Sequence, residues 1–155
     1  MTTGEPLIIE AKWDISYRHA AGPHAERFFA GLKESRIQGV RCPSCRRVFI
    51  PPRAFCEACF VDTAEWVDVS DTGTVHSMTI QYEGFPGLPK PPYAVGLVRL
   101  DGADTAMLAF LGGVDLTDAE RAQRRIGVGK RVRAVWSARR EGRITDLSHF
   151  APTDG

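Results

Sequence analysis

"CPSCRRVFIPPRAFCEAC", residues 42–59, carries every cysteine of the chain, set as two C-x-x-C pairs with ten residues between them. Two disulfides would be the ordinary use of four cysteines in an exported chain, and a dithiol redox switch is a second alternative. The N-terminal MTTGEPLIIEAKW has no basic n-region and only a short apolar run, Leu7 to Ile9, so a soluble, cytoplasmic protein is expected. A reducing cytosol keeps thiols free, and paired C-x-x-C motifs there point to metal. A redox switch would require one motif at a helix start and would leave the other without a role. Tetrahedral zinc uses both: each C-x-x-C makes a tight turn that brings two thiolates to ~2.3 Å from one ion, and two such turns close the tetrahedron. The expected ligands of a structural Zn2+ are therefore Cys42, Cys45, Cys56 and Cys59, which leaves no cysteine as a nucleophile. The spacer is shorter than the common zinc-ribbon spacing, and Pro51 and Pro52 are expected to turn a small hairpin-like knuckle.

Upstream, Pro23 sits where a helix can begin, and Ala25, Phe28, Phe29 and Leu32 recur at i, i+3, i+4 and i+7. The spacing predicts one short amphipathic helix whose stripe faces a core or offers a binding face to a partner. Before it, Trp13, Ile15 and Tyr17 alternate with Asp14, Ser16 and Arg18, the period of a half-buried strand. No stretch of the sequence is long and apolar enough for a bilayer span, and no membrane association is expected.

After Cys59 the pattern turns to strands. Trp66, Val67 and Val69 precede the turn Ser70-Asp71-Thr72-Gly73, and "GTVHSMTIQY" follows in alternation. "EGFPGLPKPP", with four prolines and two glycines, reads as a loop whose Phe85 and Leu88 have no evident core to enter. "PYAVGLVRL" and "DTAMLAFLGG" are joined across Asp101-Gly102, a hairpin signal. A short helix is expected from Thr117, capped by its hydroxyl with Glu120 completing a capping box. "KRVRAVWSA" and "RITDLSHF", turned at Glu141-Gly142, make the last strand pair. Five or six strands with one helical insertion between the third and fourth long ones suit a small Greek-key barrel of the OB type. The closing "APTDG" reads as a frayed tail.

Taken together, "RCPSCRRVFIPPRAFCEACF", a tryptophan-containing strand, "TGTVHSMTIQY", a proline-rich loop, "PYAVGLVRLDG" and "IGVGKRVRAVW" resemble the domain-of-unknown-function-35 family, zinc-ribbon plus OB-fold proteins that accompany thiolases. The resemblance runs from about Phe28 to Trp136, and its specific part is C-x-x-C followed by P-P-R and a second C-x-x-C. It implies a mainly β fold with an N-terminal helix, a rubredoxin-like zinc ribbon and a C-terminal OB barrel. On that frame the N-terminal strand and helix span 1–36, the ribbon 37–62, the OB-fold domain 63–150 and the tail 151–155. The resemblance further implies a non-catalytic accessory subunit of a thiolase-type enzyme complex: a thiolase of ketoacyl-CoA degradation, a steroid side-chain retro-aldolase or a hydroxymethylglutaryl-CoA synthase. A coenzyme A thioester would be the ligand of that complex, and a thiolase-like subunit its hetero-oligomeric partner. The lead into the helix, "EAKWDISYRHAAG", is longer than the family's usual one.

Charge offers a second line of argument. The formal net charge of the 155 residues is only +1, yet from Arg121 to Arg143 nine basic residues face a single acid, Glu141. Such a run can be a solvated face, or it can meet phosphates. Lys130, Arg131, Arg133, Arg139 and Arg140 are the candidates for contact with an anion or with coenzyme A; Phe28, Phe29, Leu32, Phe85 and Leu88 are the candidates for contact with a partner. The competing function for an OB barrel is single-stranded nucleic-acid binding, which relies on aromatic platforms among the charges, each contributing ~1–3 kcal/mol per stacked base. The middle strands instead carry Val95, Leu97, Val98, Met107, Leu108 and Leu111, with Tyr93 and Phe110 the only rings, so nucleic acid ranks second. Catalysis by the chain alone finds no support: no spacing couples His19, His24, His76 or His149 to a serine or carboxylate, and no phosphate-cradling glycine motif occurs.

Overall fold

The computed structural model describes residue 16 and residues 18–153. The alternation of Trp13, Ile15 and Tyr17 lies outside the described residues. Helix α1 (Gly22–Lys33) has Pro23 in its first turn, where a missing N–H leaves no bond unmade. Phe28 and Leu32, one turn apart, are 2% and 0% exposed, and Phe29 is half-buried against the same core. This corrects the partner-contact expectation for Phe28 and Leu32: both side chains are consumed within the chain and have no surface left to offer. The helix ends where Ser35 takes a φ of 58°, which lets the amides of Ser35 and Arg36 reach the carbonyls of Leu32 and Gly31, each at 2.9 Å.

Five short strands follow: β1 (Ile37–Arg41), β2 (Val48–Phe49), β3 (Phe55–Cys56), β4 (Val61–Asp62) and β5 (Glu65–Val69). β1 lies between β2 and β5 in an antiparallel sheet, and β3 pairs with β4 in a separate hairpin. β5, expected to begin the barrel, is instead the third strand of the ribbon sheet. Its polar side chains explain the pairing. Gln38 lies opposite Asp68 and Arg41 opposite Glu65; Asp68 accepts from Gln38 Nε2 at 2.9 Å and from Arg36 Nη2 at 3.0 Å, while Glu65 pairs with Arg41 and Arg46.

The second half is a closed five-stranded barrel of β6 (Thr72–Gln81), β7 (Tyr93–Leu100), β8 (Met107–Leu111), β9 (Arg131–Trp136) and β10 (Leu147–Pro152). β8 and β10 run parallel and every other pair is antiparallel, so the strands circle in the order β6, β7, β8, β10, β9, which is the OB arrangement. Helix α2 (Ala119–Ile126) stands between the third and fourth barrel strands, as the sequence pattern predicts. Its cap differs by one residue: the Asp118 side chain, not Thr117, accepts from the Arg121 amide, at 2.9 Å, because the Thr117 hydroxyl is already donated to Asp115 Oδ1 at 2.7 Å. Ala151 and Pro152, read as tail, complete β10 by pairing with Arg133 and Val132.

Two irregularities shape the barrel. The β6–β7 register shifts between Val75 and Ser77, a bulge at His76 that switches the inward parity from Gly73 and Val75 to Met78 and Ile80. On β7, Gly96 admits the neighbouring strands closely: a Cβ there would lie 2.6 Å from the Ser77 carbonyl and 2.8 Å from Leu111 Cδ1. Between β9 and β10, the expected start of a strand at Arg143 is a 3-10 turn, Ile144–Asp146. Asp146 is buried there and accepts from the amides of Glu141, Gly142 and Arg143 at 2.7 to 3.2 Å. Burial opposes ionisation of this carboxyl and is the largest single effect on it, yet the three amides and the Arg140 charge together lower its pKa.

One core joins head and barrel. Phe28, Leu32, Ile37 and Ile50 from the head cluster with Val98, Ile126 and Phe150 of the barrel half. The β7–β8 hairpin tip then clasps β2 and the residue after it: Asp104 accepts from the Val48 amide at 2.8 Å, and Thr105 Oγ1 both accepts from and donates to Ile50, at 2.7 and 2.8 Å.

Candidate metal centre

The first knuckle leaves β1 at Cys42 and returns at Arg47, whose carbonyl accepts from the Cys42 amide at 2.9 Å. Within it the Arg46 amide donates to the Cys42 carbonyl at 3.0 Å, and in the second knuckle the Phe60 amide donates to the Cys56 carbonyl at 2.8 Å. Arg46 and Phe60, each directly after the second cysteine of its pair, have φ of 64° and 54°. A side chain in this left-handed region costs roughly 1–2 kcal/mol, and such strain persists where the surroundings over-determine the backbone. The two knuckles are thus local copies of one turn, facing each other.

The four Sγ atoms of Cys42, Cys45, Cys56 and Cys59 all lie within 4.8 Å of one another. A tetrahedron with ~2.3 Å metal–sulfur bonds has edges of about 3.8 Å, and Cys45 Sγ and Cys56 Sγ are 3.8 Å apart. All four are free thiols, the outcome predicted for a metal site rather than disulfides. Cys42 and Cys56 are buried, Cys59 is intermediate and Cys45 is exposed, so the site sits at the edge of a small cluster containing Val40 and Phe49.

The electrostatics of the bare thiols favour a cation. Burial opposes ionisation of Cys42 and is its largest single influence, but amides of Cys45 and Ser44 and the thiols of Cys45 and Cys56 outweigh it and bring the group to about 7. For Cys45 the Arg47 backbone favours ionisation, yet burial and donation of its own proton to the other three sulfurs push it up to about 11. The two shifts run in opposite directions, and four thiolates brought together would repel one another unless a cation compensates their charge. A Zn2+ ion would supply that compensation with Cys42, Cys45, Cys56 and Cys59 as ligands, and the part it would play at a site of four cysteines is structural.

The other predicted residues are distributed as follows. The single anion patch is divided. Arg131 pairs with Asp101 and Thr74, Arg133 with Asp71 at 3.3 Å, and Arg139 with Glu141. Arg140 donates to the carbonyls of Lys33 at 3.0 Å and Ser137 at 2.8 Å, tying the C-terminus of α1 to the barrel. Lys130 and Arg131 line a cavity with Arg124 and Arg125 of α2, whereas Arg139 lines another with Arg143. Phe85 and Leu88 are about half exposed in the proline-rich loop, 52% and 51%. Tyr93 and Phe110 meet edge-on, with ring centroids 6.1 Å apart, in a wall of aliphatic side chains. Ser148 and His149, given no role by spacing, face this wall with Ser148 Oγ 3.1 Å from His149 Nδ1, and burial lowers the His149 pKa. Adjacent strand residues ordinarily point to opposite faces, and the register shift between Leu147 and His149 is what disturbs that rule here.

Two family models match consecutive stretches: the ChsH2 rubredoxin-like zinc ribbon domain over residues 29–65 and the ChsH2 C-terminal OB-fold domain over residues 66–137. A crystal structure of a protein of unknown function from the DUF35 family of Sulfolobus solfataricus is 30% identical, covers 74% of this chain and 78% of its own, and superposes with a TM-score of 0.56. The chain belongs to the DUF35 family. A second solved structure, the Ltp2-ChsH2(DUF35) aldolase, is 24% identical over 87% of this chain and 95% of its own, with a TM-score of 0.61, and speaks for the fold. No curated protein sequence matches this DUF35 chain. Among its described residues, no helix is long and apolar enough to cross a membrane.

Proposed function

We propose that this DUF35 protein is the non-catalytic accessory subunit of a thiolase- or aldolase-type complex acting on acyl-CoA thioesters in the cytoplasm. The observation that carries the reading is the closed thiol quartet: every cysteine of the chain stands in it, so the nucleophile of thiolytic chemistry has to come from elsewhere. A saturated sulfur cage also has no open position at which to activate water. Membership of the DUF35 family adds weight, as does the likeness in fold to a chain solved as the Ltp2-ChsH2(DUF35) aldolase. On this reading the zinc ribbon and barrel form one rigid body, clasped at Asp104 and Thr105, that braces a partner carrying the reaction centre.

The test is affinity capture of the tagged full chain from its native extract, with mass identification of whatever co-elutes in stoichiometric amount. The expected companion has a thiolase-like sequence with its own nucleophile or acid–base pair. Recovery of the chain as a lone monomer, or on single-stranded oligonucleotides with steep salt dependence, would refute the proposal.

A further inference from the structure

Strand β2 gives β1 only two partners, Phe49 opposite Val40 and Val48 opposite Arg41, and its other edge has no strand beside it in the ribbon sheet. A sheet edge carries unpaired amides and carbonyls, but here those of Val48 and Ile50 are all taken. The Val48 amide donates to Asp104 Oδ2 at 2.8 Å, and the Val48 carbonyl accepts from the Asp104 amide at 2.9 Å. Two residues on, the Ile50 amide donates to Thr105 Oγ1 at 2.7 Å, and the Ile50 carbonyl accepts from the same hydroxyl at 2.8 Å. Asp104 and Thr105 belong to the turn between β7 and β8, so a turn of the barrel stands in for the missing neighbour strand.

That strand is also the return limb of the first knuckle. The Arg47 carbonyl, directly before β2, accepts from the Cys42 amide, and Phe49 is fully buried in one cluster with Cys42 and Cys56. The second knuckle is held from another side. Thr63, which follows β4, is buried; its amide donates to the Ala54 carbonyl at 3.0 Å, and its carbonyl accepts from His24 Nε2 of α1 at 3.2 Å. Cys42 and Cys45 therefore ride on a knuckle fixed to the barrel, and Cys56 and Cys59 on one fixed to α1. The spacing of the four sulfurs depends on both ties, and partners behind the ligands tune a metal site.

We propose that Asp104 and Thr105 are positioning residues of the metal centre: by holding β2 they bring Cys42 and Cys45 to Cys56 and Cys59 at the spacing a metal needs, so metal affinity is set in part by the barrel. On this account the ribbon is not an autonomous metal module. Linkage makes the effect reciprocal, and a bound ion tightens the turn at Asp104 and Thr105 by the same factor by which that turn tightens the ion. The inference needs no partner subunit and stands or falls apart from the accessory-subunit reading. Spacing gives no hint of either residue, since 56 positions separate Asp104 from Val48 and 55 separate Thr105 from Ile50.

The experiment follows the loss of Co2+, and then of Zn2+, from the metal-loaded full chain to a competing chelator under reducing conditions, with the cobalt–thiolate absorption bands as the spectroscopic readout. Asp104→Ala removes one hydrogen bond to β2 and Thr105→Val removes two, which should weaken Co2+ binding about fivefold and about tenfold or more. Thr105→Ser keeps the hydroxyl and should restore the affinity. Val132→Ala opens the barrel core away from the turn; it should lower the melting temperature and leave the affinity within about twofold of wild type. In the chelated chain the amides of Ile50 and Asp104 should exchange faster than in the loaded chain, while amides within the barrel strands keep their protection. Should Thr105→Val not fold, Asp104→Ala decides alone, because Asp104 is exposed and its truncation leaves no cavity. Affinities within about twofold of wild type in both clasp variants, an equal loss in Val132→Ala, or Ile50 and Asp104 amides equally protected with and without metal would overturn the proposal.

Discussion

Cys56→Ser is the perturbation that separates a metal-built head from one held by its own packing. Cys56 is fully buried, and its sulfur lies 3.8 Å from that of Cys45. A serine hydroxyl keeps the volume but does not ionise near neutral pH, which leaves three sulfurs where a closed site takes four. The residues packed with it are few: Val40 and Phe49 are the buried apolar side chains of that cluster other than cysteine, and burying each contributes about 1.5–3 kcal/mol. Structural zinc contributes on the order of 10 kcal/mol in small modules, so a bound ion would outweigh the local core and would help to hold Arg46 and Phe60 in their left-handed backbone. The variant should lose its zinc and the order of both knuckles. The barrel should survive, because its core of Val98, Val132 and Phe150 is separate from the sulfur cluster. Metal analysis and amide hydrogen exchange read this out: the Arg46 and Phe60 amides, bonded to the carbonyls of Cys42 and Cys56, should exchange at unprotected rates while barrel amides stay slow. One tightly held zinc per chain in the variant, with knuckle protection unchanged, would refute the reasoning.

Leu32→Ala removes the α1 side chain buried deepest in the shared core and should cost about 2–5 kcal/mol in urea unfolding; a loss under about half a kcal/mol would mean the helix does not belong to that core. Gly96→Ala drives a Cβ toward the Ser77 carbonyl and Leu111, and a loss of about 1–3 kcal/mol is expected, against a neutral or stabilising change if the strands can part. Hydrogen bonding from the Arg131 guanidinium, helped by the Thr72 hydroxyl and opposed by burial, holds Asp101 at about 2 against an ordinary 3.8. Its contribution is complete above the ordinary value and is lost as pH falls toward the lowered one, so the urea midpoints of wild type and Asp101→Asn should differ by a constant amount near neutrality and converge between about pH 4 and 2. Midpoints that keep their separation down to about pH 2 would show that the pair is silent.

The metal centre was legible because four cysteines at fixed spacing admit few chemistries, and the OB order because hairpin signals and a helical insertion punctuate the strands in sequence. What stayed hidden was non-local. β5 looks like a barrel strand until Asp68 and Glu65 are seen to pair with Gln38 and Arg41, partners more than twenty residues away. The bulge at His76 leaves no local mark, since inward Val75 and Met78 are separated by two polar residues whichever way the ladder slips. Phe28 and Leu32 carry a stripe that predicts burial without saying against what, and the surrounding core is assembled from both halves of the chain. The basic run reads as continuous because sequence does not reveal that Asp71, Asp101 and the Lys33 carbonyl arrive from elsewhere to divide it. The C-x-x-C spacing announced the knuckle turns but not their left-handed residues, because Arg46 and Phe60 stand where glycine would have advertised that backbone.

The most direct test of the brace account is a turnover assay divided between the parts: acyl-CoA consumption followed by mass spectrometry for the isolated zinc-loaded chain, for its captured companion, and for the two recombined. The account predicts no turnover by the chain alone, full turnover on recombination, and abolition when the companion's nucleophile is replaced. Thioester cleavage by the isolated chain, surviving removal of any trace companion, would contradict it.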